Sequence, residues 1–168
     1  MVSSMEDKGL WRDESDGRSA LTLERVEAND SEPLAWLRIE CTRESLERVG
    51  RFDAERAGAR LAAHFDRSCT SHIVEGSECV GFVALREYEG QLTLEHLYAR
   101  QPAQGRGSGS AMLVYLFAEY DARAIPIRVG ALRDNASNRF YVRHAFRSIE
   151  RYSHVRPAAR APMEGCAG

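Results

Sequence analysis

Residues 104–109, Gln-Gly-Arg-Gly-Ser-Gly, place three glycines within five positions, where a predicted strand gives way to a predicted helix. Glycine weakens a helix start unless the backbone must adopt unusual angles or come close to another group. The first N–H groups of a helix have no acceptor inside the helix and carry a partial positive charge. The stretch therefore predicts a loop whose backbone holds an anion, typically a pyrophosphate.

Two familiar anion-binding motifs do not fit this loop. A P-loop requires a lysine directly after its last glycine, and no lysine follows here. A dinucleotide-binding fold requires a third glycine where Ser110 or Met112 stands, and it also requires parallel strands. Gly-containing turns at 75–78 and 89–90 separate the apolar runs before the loop, and such turns predict antiparallel hairpins.

Strand and helix patterns alternate over the rest of the chain, giving the order β-α-α-β-β-β-α-β-α-β. Strands are predicted at 21–26, 69–74, 79–86, 92–99, 127–132 and 146–154. Helices are predicted after Pro33, after Asp53, from Gly107 and over 135–144. The prediction is one domain over 19–155, flanked by mobile segments at 1–18 and 156–168 that contain few large apolar residues.

Composition excludes several classes of function. A net charge of −2 with scattered Lys and Arg gives no basic face for nucleic acid. No apolar run reaches the roughly 20 residues that cross a membrane, and the N-terminus does not have the pattern of a signal peptide. The four cysteines are far apart, without metal-ligand spacing. We expect a cytoplasmic protein with reduced thiols and no metal.

The glycine-rich loop and its surroundings resemble a known family. Gln104-x-x-Gly107-x-Gly109 resembles the Gln/Arg-x-x-Gly-x-Gly/Ala signature of the GNAT N-acetyltransferase superfamily. The family also has an asparagine and a tyrosine on the helix after the fifth strand, followed by Gly-Phe. Here Asn135 and Tyr141 take these places. Their spacing of six residues differs from the more common seven, which would select Asp134 instead of Asn135.

A second departure from the family pattern lies after the tyrosine. Ala145 replaces the usual glycine before Phe146. A helix that ends there in the left-handed conformation would therefore be slightly strained.

This resemblance implies a mixed α/β fold with a twisted, mainly antiparallel sheet of about six strands and helices on both faces. It also implies acetyl-CoA as co-substrate. The backbone of the strand end would hold the pantetheine arm, and the loop would hold the pyrophosphate. The cofactor-binding residues that it implies are Leu97, Tyr98, Ala99, Gln104, Gly105, Arg106, Gly107, Ser108, Gly109, Ser110 and Asn135.

Two catalytic roles follow from the chemistry of acetyl transfer to an amine. A phenol has a pKa of about 10, so Tyr141 can protonate the departing CoA thiolate at neutral pH. An alkyl ammonium of pKa about 10.4 must lose a proton before it attacks. Glu95 and His96 are the candidate bases, on opposite faces of their strand. Glu95 resembles acidic bases of some family members and is favoured, while His96 and a water chain remain open.

The predicted function is N-acetylation of a primary amine in a ternary complex, with a small amine or amino-acid-like metabolite as acceptor. A protein N-terminus or lysine is the first alternative, and an aminoglycoside-type antibiotic is the next, for which only Glu40, Glu44 and Glu47 offer an acidic surface. A non-catalytic acyl-CoA-binding module is the alternative of another class. Family members are often homodimers, but no segment of the sequence identifies an interface.

Overall fold

The computed structural model describes residues 21–48, 50, 53–130, 136–150 and 153–157. Within these ranges the strands are β1 (Leu21–Arg25), β2 (Thr70–Glu75), β3 (Glu78–Tyr88), β4 (Gln91–Ala99), β5 (Ile127–Gly130), β6 (Arg147–Glu150) and β7 (Ser153–Arg156). The helices are α1 (Ser31–Arg48), α2 (Ala54–His64), α3 (Ser108–Ala122) and α4 (Ala136–Arg143). The predicted terminal segment 1–18 and residues 158–168 of the predicted segment 156–168 lie outside the described residues.

One sheet contains all the described strands, in the order β1-β2-β3-β4-β5-β7-β6. β4 and β5 run parallel, whereas the pairs β1–β2, β2–β3, β5–β7 and β6–β7 are antiparallel. The predicted mixed, mainly antiparallel fold class is confirmed. None of the described helices is long and apolar enough to span a membrane.

The end of the sheet differs from the sequence prediction. The single strand predicted at 146–154 is a hairpin of β6 and β7, so the sheet has seven described strands and not about six. No glycine or proline lies between Phe146 and His154 to indicate the break. β7 also extends to Arg156, one residue past the predicted domain boundary. The guanidinium of Arg156 is held there by two hydrogen bonds to the Asp121 carboxylate, both of 2.7 Å.

The chain forms two compact units, and β3, β4 and α3 each contribute to both. The first unit comprises residues up to 85 together with 95–111. In it α1 and α2 pack together, and the Arg38 guanidinium donates to the carbonyl oxygen of Ala57 at 2.6 Å. One cluster of its core consists of Val26, Leu34, Ala35, Leu37, Leu61 and Phe82. The Asp53 carboxylate accepts from the N–H of Arg56 at 2.9 Å, as expected for the predicted cap of α2.

The second unit comprises residues 86–94 together with 112 onward. Its fully buried residues include Leu92, Leu94, Leu113, Leu116, Ile127 and His154. The turn between β3 and β4 lies here, with φ of 49° at Glu89 and 72° at Gly90. Two successive left-handed residues are typical of a two-residue hairpin turn whose twist matches the strands that it joins. The predicted hairpin is confirmed.

Gly81 on β3 is in close contact with the backbone of β4, in the first unit. A Cβ atom at this position would overlap the carbonyl oxygen of Tyr98 and lie 3.1 Å from Cα of Ala99. Glycine is therefore required here by lack of space.

Candidate active site and cofactor loop

The glycine-rich loop has a backbone conformation that is compatible with anion binding. Gly105 and Gly107 have φ of 73° and 89°, in the left-handed region that favours glycine. The bond from the N–H of Ala111 to the carbonyl of Gly107, at 2.9 Å, marks the start of the α3 ladder. The N–H groups of residues 108–110 precede this bond and have no acceptor in the helix. The loop and the helix start therefore present a positively polarised stretch of backbone.

Internal hydrogen bonds reduce the number of loop groups that are available to an anion. The N–H of Gln104 already donates to the carbonyls of Arg100, at 3.0 Å, and Gln101, at 3.1 Å. The Gln104 side-chain nitrogen donates to the carbonyl of Ala99 at 2.8 Å. Gln104 thus ties the loop to the end of β4. The groups left for a pyrophosphate are the N–H groups of Gly105 and 107–110, with the exposed Arg106 side chain beside them.

The end of β4 lies beyond the parallel ladder to β5. That ladder pairs Leu92–Leu94 with Ile127–Val129, so Leu97 and Ala99 follow its last pair. The carbonyl of Ala99 also accepts from the thiol of Cys41 at 3.1 Å. With Gln104 and Cys41 both on this oxygen, the N–H of Ala99 is the better candidate for a ligand contact.

Glu95 and His96 lie in different surroundings, as their neighbouring positions on a strand predict. Glu95 is exposed, whereas His96 is half-buried. The His96 ring centre lies 6.0 Å from that of Phe82 and 5.7 Å from that of Tyr98. The phenol of Tyr98 in turn accepts from Nε of Arg38, at 3.4 Å. Among the described residues, Nδ1 of His96 is one of three buried side-chain N or O atoms without a hydrogen-bond partner.

Burial lowers the pKa of His96 from 6.5 to about 4, with a further contribution from the nearby Arg38 cation. The folded protein therefore keeps this ring neutral at pH 5, while the unfolded chain binds a proton below pH 6.5. Acid thus stabilises the unfolded state, and folding stability falls as the pH drops from 6.5 towards 4. We expect a loss of about 1 to 2 kcal/mol between pH 7 and pH 5, allowing for solvent screening.

Urea unfolding at pH 7 and pH 5 measures this loss. His96→Gln should lose less stability than the wild type over this interval, because glutamine does not titrate. Equal losses in the wild type and His96→Gln would contradict the assignment.

Tyr141 lies near the end of α4 in the second unit and is 7% exposed. Its ring makes edge contacts with Phe140 and Phe146, at centroid distances of 5.3 and 5.4 Å. Its carbonyl accepts from the N–H groups of His144, at 3.0 Å, and Phe146, at 3.2 Å. Ala145 between them has φ of 65°, so the helix ends in the left-handed conformation although alanine replaces the usual glycine.

A different asparagine from the predicted one has a buried side-chain oxygen on α4. Asn135 and its alternative Asp134 lie outside the described residues. Asn138, which the sequence motif does not indicate, has a buried Oδ1 without a hydrogen-bond partner. It precedes Tyr141 by three residues and so lies on the same face of α4. Asparagine is a poor helix former. Its position one turn before the tyrosine is therefore the feature of the sequence that could have indicated a functional role.

A groove of about 460 Å³ runs along α1 in the first unit. It is lined by Trp36, Ile39, Glu40, Arg43, Glu44, Glu47 and Gln101. Trp36 is 60% exposed, so an indole face and three carboxylates border the same space. Glu44 is partly neutralised by Arg48, at 3.1 Å. The three glutamates of the sequence analysis thus line one groove.

Among the described residues, no group of three or more His, Cys, Asp or Glu side chains is arranged to hold a metal ion.

Comparison with known proteins identifies the family. The model of the "Acetyltransferase (GNAT) family" matches residues 31–146. No curated protein matches the chain. Solved structures share its fold, among them PaiA N-acetyltransferase from Thermoplasma acidophilum in complex with coenzyme A. That structure has a TM-score of 0.64 and 14% identity, with 82% of this chain and 98% of that chain covered.

Two further structures are similar in the same way. An acetyltransferase from Thermus thermophilus has a TM-score of 0.61 and 23% identity, over 82% of this chain and 96% of that chain. The ribosomal-protein-S18-alanine N-acetyltransferase from Escherichia coli has a TM-score of 0.58 and 17% identity, over 86% and 97%. At these identities the structures show the fold alone, whereas the family model spans well over half of the sequence. The chain therefore belongs to the GNAT acetyltransferase family.

Proposed function

We propose that the protein is an N-acetyltransferase that uses acetyl-CoA and a primary amine in a ternary complex. The observation that carries the proposal is the loop at 104–110. Its two left-handed glycines and the N–H groups that follow form an anion site at the start of α3. The missing P-loop lysine argues against a nucleoside triphosphate as the ligand, and family membership favours a CoA thioester.

The described residues fit this donor. The pyrophosphate would lie against the N–H groups of Gly105 and 107–110, with Arg106 beside it. The pantetheine arm would hydrogen-bond to the backbone of Leu97 and Ala99, in the manner of an added strand. Asn138 joins Asn135 as a candidate for the polar contact from α4, because its buried amide oxygen has no partner among the described residues.

Acid and base roles follow from the surroundings of each group. Glu95 is exposed and so can meet an incoming ammonium, from which it would accept the proton. His96 is neutral at pH 7, but a pKa of about 4 makes it a weak acceptor for that proton. Tyr141 would donate its phenolic proton to the sulfur that leaves. The acetyl donor supplies the activated thioester, and the protein orients the amine beside it.

The acceptor we propose is a small, positively charged amine or amino-acid-like metabolite. Support comes from the groove along α1, where Glu40, Glu44 and Glu47 provide negative charge. The exposed face of Trp36 can attract a cation through its ring quadrupole. A protein N-terminus or lysine remains the alternative acceptor. A cytoplasmic location and a homodimer remain predictions.

Acetyl-CoA binding can be tested by thermal denaturation. At about 100 times its Kd the donor should stabilise the folded state by about 2.7 kcal/mol, which is about 5 to 10 °C in Tm. Ser110→Asp should abolish this shift, because a carboxylate in the first turn of α3 repels the pyrophosphate. The same carboxylate favours the helix dipole, so the Tm without ligand should not fall.

Ser110→Asn is the matched control, since asparagine has the shape of aspartate without its charge. This variant should keep most of the Tm shift. An equal shift in Ser110→Asp and wild type would place the donor elsewhere. A screen of amines and peptides for release of free CoA thiol then separates an enzyme from an acyl-CoA-binding module. Donor binding without turnover of any acceptor would favour the module.

A further inference from the structure

Cys79, His72 and Asp30 form a chain of contacting side chains in the first unit, apart from the groups assigned to acetyl transfer. The sulfur of Cys79 is 3.6 Å from Nδ1 of His72. Nε2 of His72 is 3.1 Å from Oδ2 of Asp30. The order of thiol, imidazole and carboxylate is that of an activated nucleophile, whose base is oriented by a third group.

The fold explains why these three residues meet. In the ladder between β2 and β3, Ile73 pairs with Gly81 but Val74 pairs with Cys79, so one residue of β3 is extra. Cys79 then stands diagonally across from His72 on the neighbouring strand, within reach of a side chain. Asp30 lies directly before α1, and the N–H of Glu27 donates to its Oδ2 at 2.7 Å.

The partners of His72 determine which of its nitrogens carries the hydrogen. The hydrogen bond from the Glu27 backbone, and next the one from His72, lower the pKa of Asp30. Asp30 is therefore ionised at neutral pH and can only accept hydrogen bonds. Nε2 of His72 must then be the donor, which leaves the lone pair of Nδ1 directed at the sulfur. This tautomer is assigned from the partners, and it is the one that can take a proton from Cys79.

The other described cysteines lie in different surroundings. The thiol of Cys41 donates to a backbone carbonyl, and burial raises its pKa to about 11. The sulfur of Cys69 is 3.6 Å from a carboxylate oxygen of Asp66, whose negative charge opposes a thiolate. The thiol of Cys79 also donates to the carbonyl of Gly81, at 3.4 Å, but a carbonyl cannot remove the proton. The imidazole beside Cys79 can.

We propose that Cys79, His72 and Asp30 form a reactive-thiol site, at which Cys79 exchanges with small disulfides to give a mixed disulfide. His72 takes the thiol proton, and the Cys79 thiolate attacks one sulfur of the disulfide. A new S–S bond forms as the old one breaks. The departing thiolate takes the proton from His72 and leaves as a thiol, while Asp30 stabilises the transient imidazolium.

Disulfide exchange suits this site better than acyl transfer does. Exchange at sulfur needs a thiolate and a proton for the leaving group, and both are provided. Acyl transfer also needs N–H donors around a developing oxyanion. Glu24 on β1 pairs directly with His72 in the sheet, so a second carboxylate lies near the imidazolium that forms transiently during exchange.

The test uses the full chain and oxidised glutathione as the disulfide, at pH 7. Peptide mass spectrometry follows the mixed disulfide at each cysteine over time. We expect Cys79 to react at least about 10 times faster than Cys69, which serves as the control within the same molecule. Asp30→Asn and His72→Gln should each slow Cys79 about 10-fold or more and leave the rate at Cys69 unchanged.

Two outcomes would overturn the proposal. One is a Cys79 rate in the wild type that is no higher than that of Cys69. The other is a Cys79 rate that neither variant changes, since the thiol would then react without help from the imidazole. Because the first comparison needs no substitution, the proposal stays testable even if a variant fails to fold.

Discussion

Replacing Tyr141 by phenylalanine is expected to lower kcat for acetyl transfer about 100- to 1,000-fold, while acetyl-CoA binding changes little. The substitution removes one hydroxyl group and with it the proton for the departing sulfur, and general acid catalysis contributes about this much. The ring contacts to Phe140 and Phe146 are kept. The measurement is release of free CoA thiol, with the best acceptor from the amine and peptide screen.

Tyr120→Phe provides the matched control for this experiment. Tyr120 is also buried, at 4% exposure against 7% for Tyr141. Burial and the neighbouring Glu119 raise its pKa to about 12. It lies in α3 and has no proposed role in proton transfer, so its loss should leave kcat within about twofold. An unchanged kcat in Tyr141→Phe would remove Tyr141 as the acid.

Replacing Gly81 by alanine is expected to have the largest effect on stability, at about 2 to 4 kcal/mol lower free energy of unfolding. The new methyl group would overlap the carbonyl of Tyr98 and come within 3.1 Å of Cα of Ala99. Both strands are fixed by the sheet, so backbone must move. Because the backbone at Ala99 is proposed to bind the pantetheine arm, acetyl-CoA affinity should also fall.

Gly58→Ala is the control that separates the effect of steric overlap from the general effect of replacing glycine by alanine. A methyl group there would meet only Cδ1 of Ile39, at an ordinary 3.6 Å. Alanine in a helix interior is favoured over glycine by about 1 kcal/mol. Urea unfolding should therefore show opposite signs for the two variants, destabilising at 81 and stabilising at 58. A mild effect at both positions would mean that β3 and β4 can separate without cost.

Periodicity and turn residues predicted most of the fold. The run of glycines before α3, the cap at Asp53 and the turn at 89–90 each depend on local backbone chemistry, which a sequence displays directly. The hairpin of β6 and β7 was missed because the break between these strands contains no glycine or proline. Periodicity also cannot reveal that β7 ends on an arginine held by Asp121.

The candidate site was predictable only where it is local. The loop at 104–110 can be recognised because its groups follow one another along the chain. The groove along α1 needs Gln101 from a distant segment, and the burial of His96 depends on Phe82 and Tyr98. Asp30, His72 and Cys79 meet through a β-bulge whose position no residue type indicates. Such groups depend on sheet register, which long-range pairing determines.

The structural role of Tyr141 and its proposed catalytic role use different atoms. Its carbonyl closes the end of α4 through the N–H groups of His144 and Phe146, and this closure holds Ala145 in the left-handed conformation. Any residue type can provide that carbonyl, but only a tyrosine provides the phenol. A helix end of this shape thus says nothing about chemistry by itself. A relative with phenylalanine at this place would keep the architecture of the helix end intact while having lost the proposed proton donor.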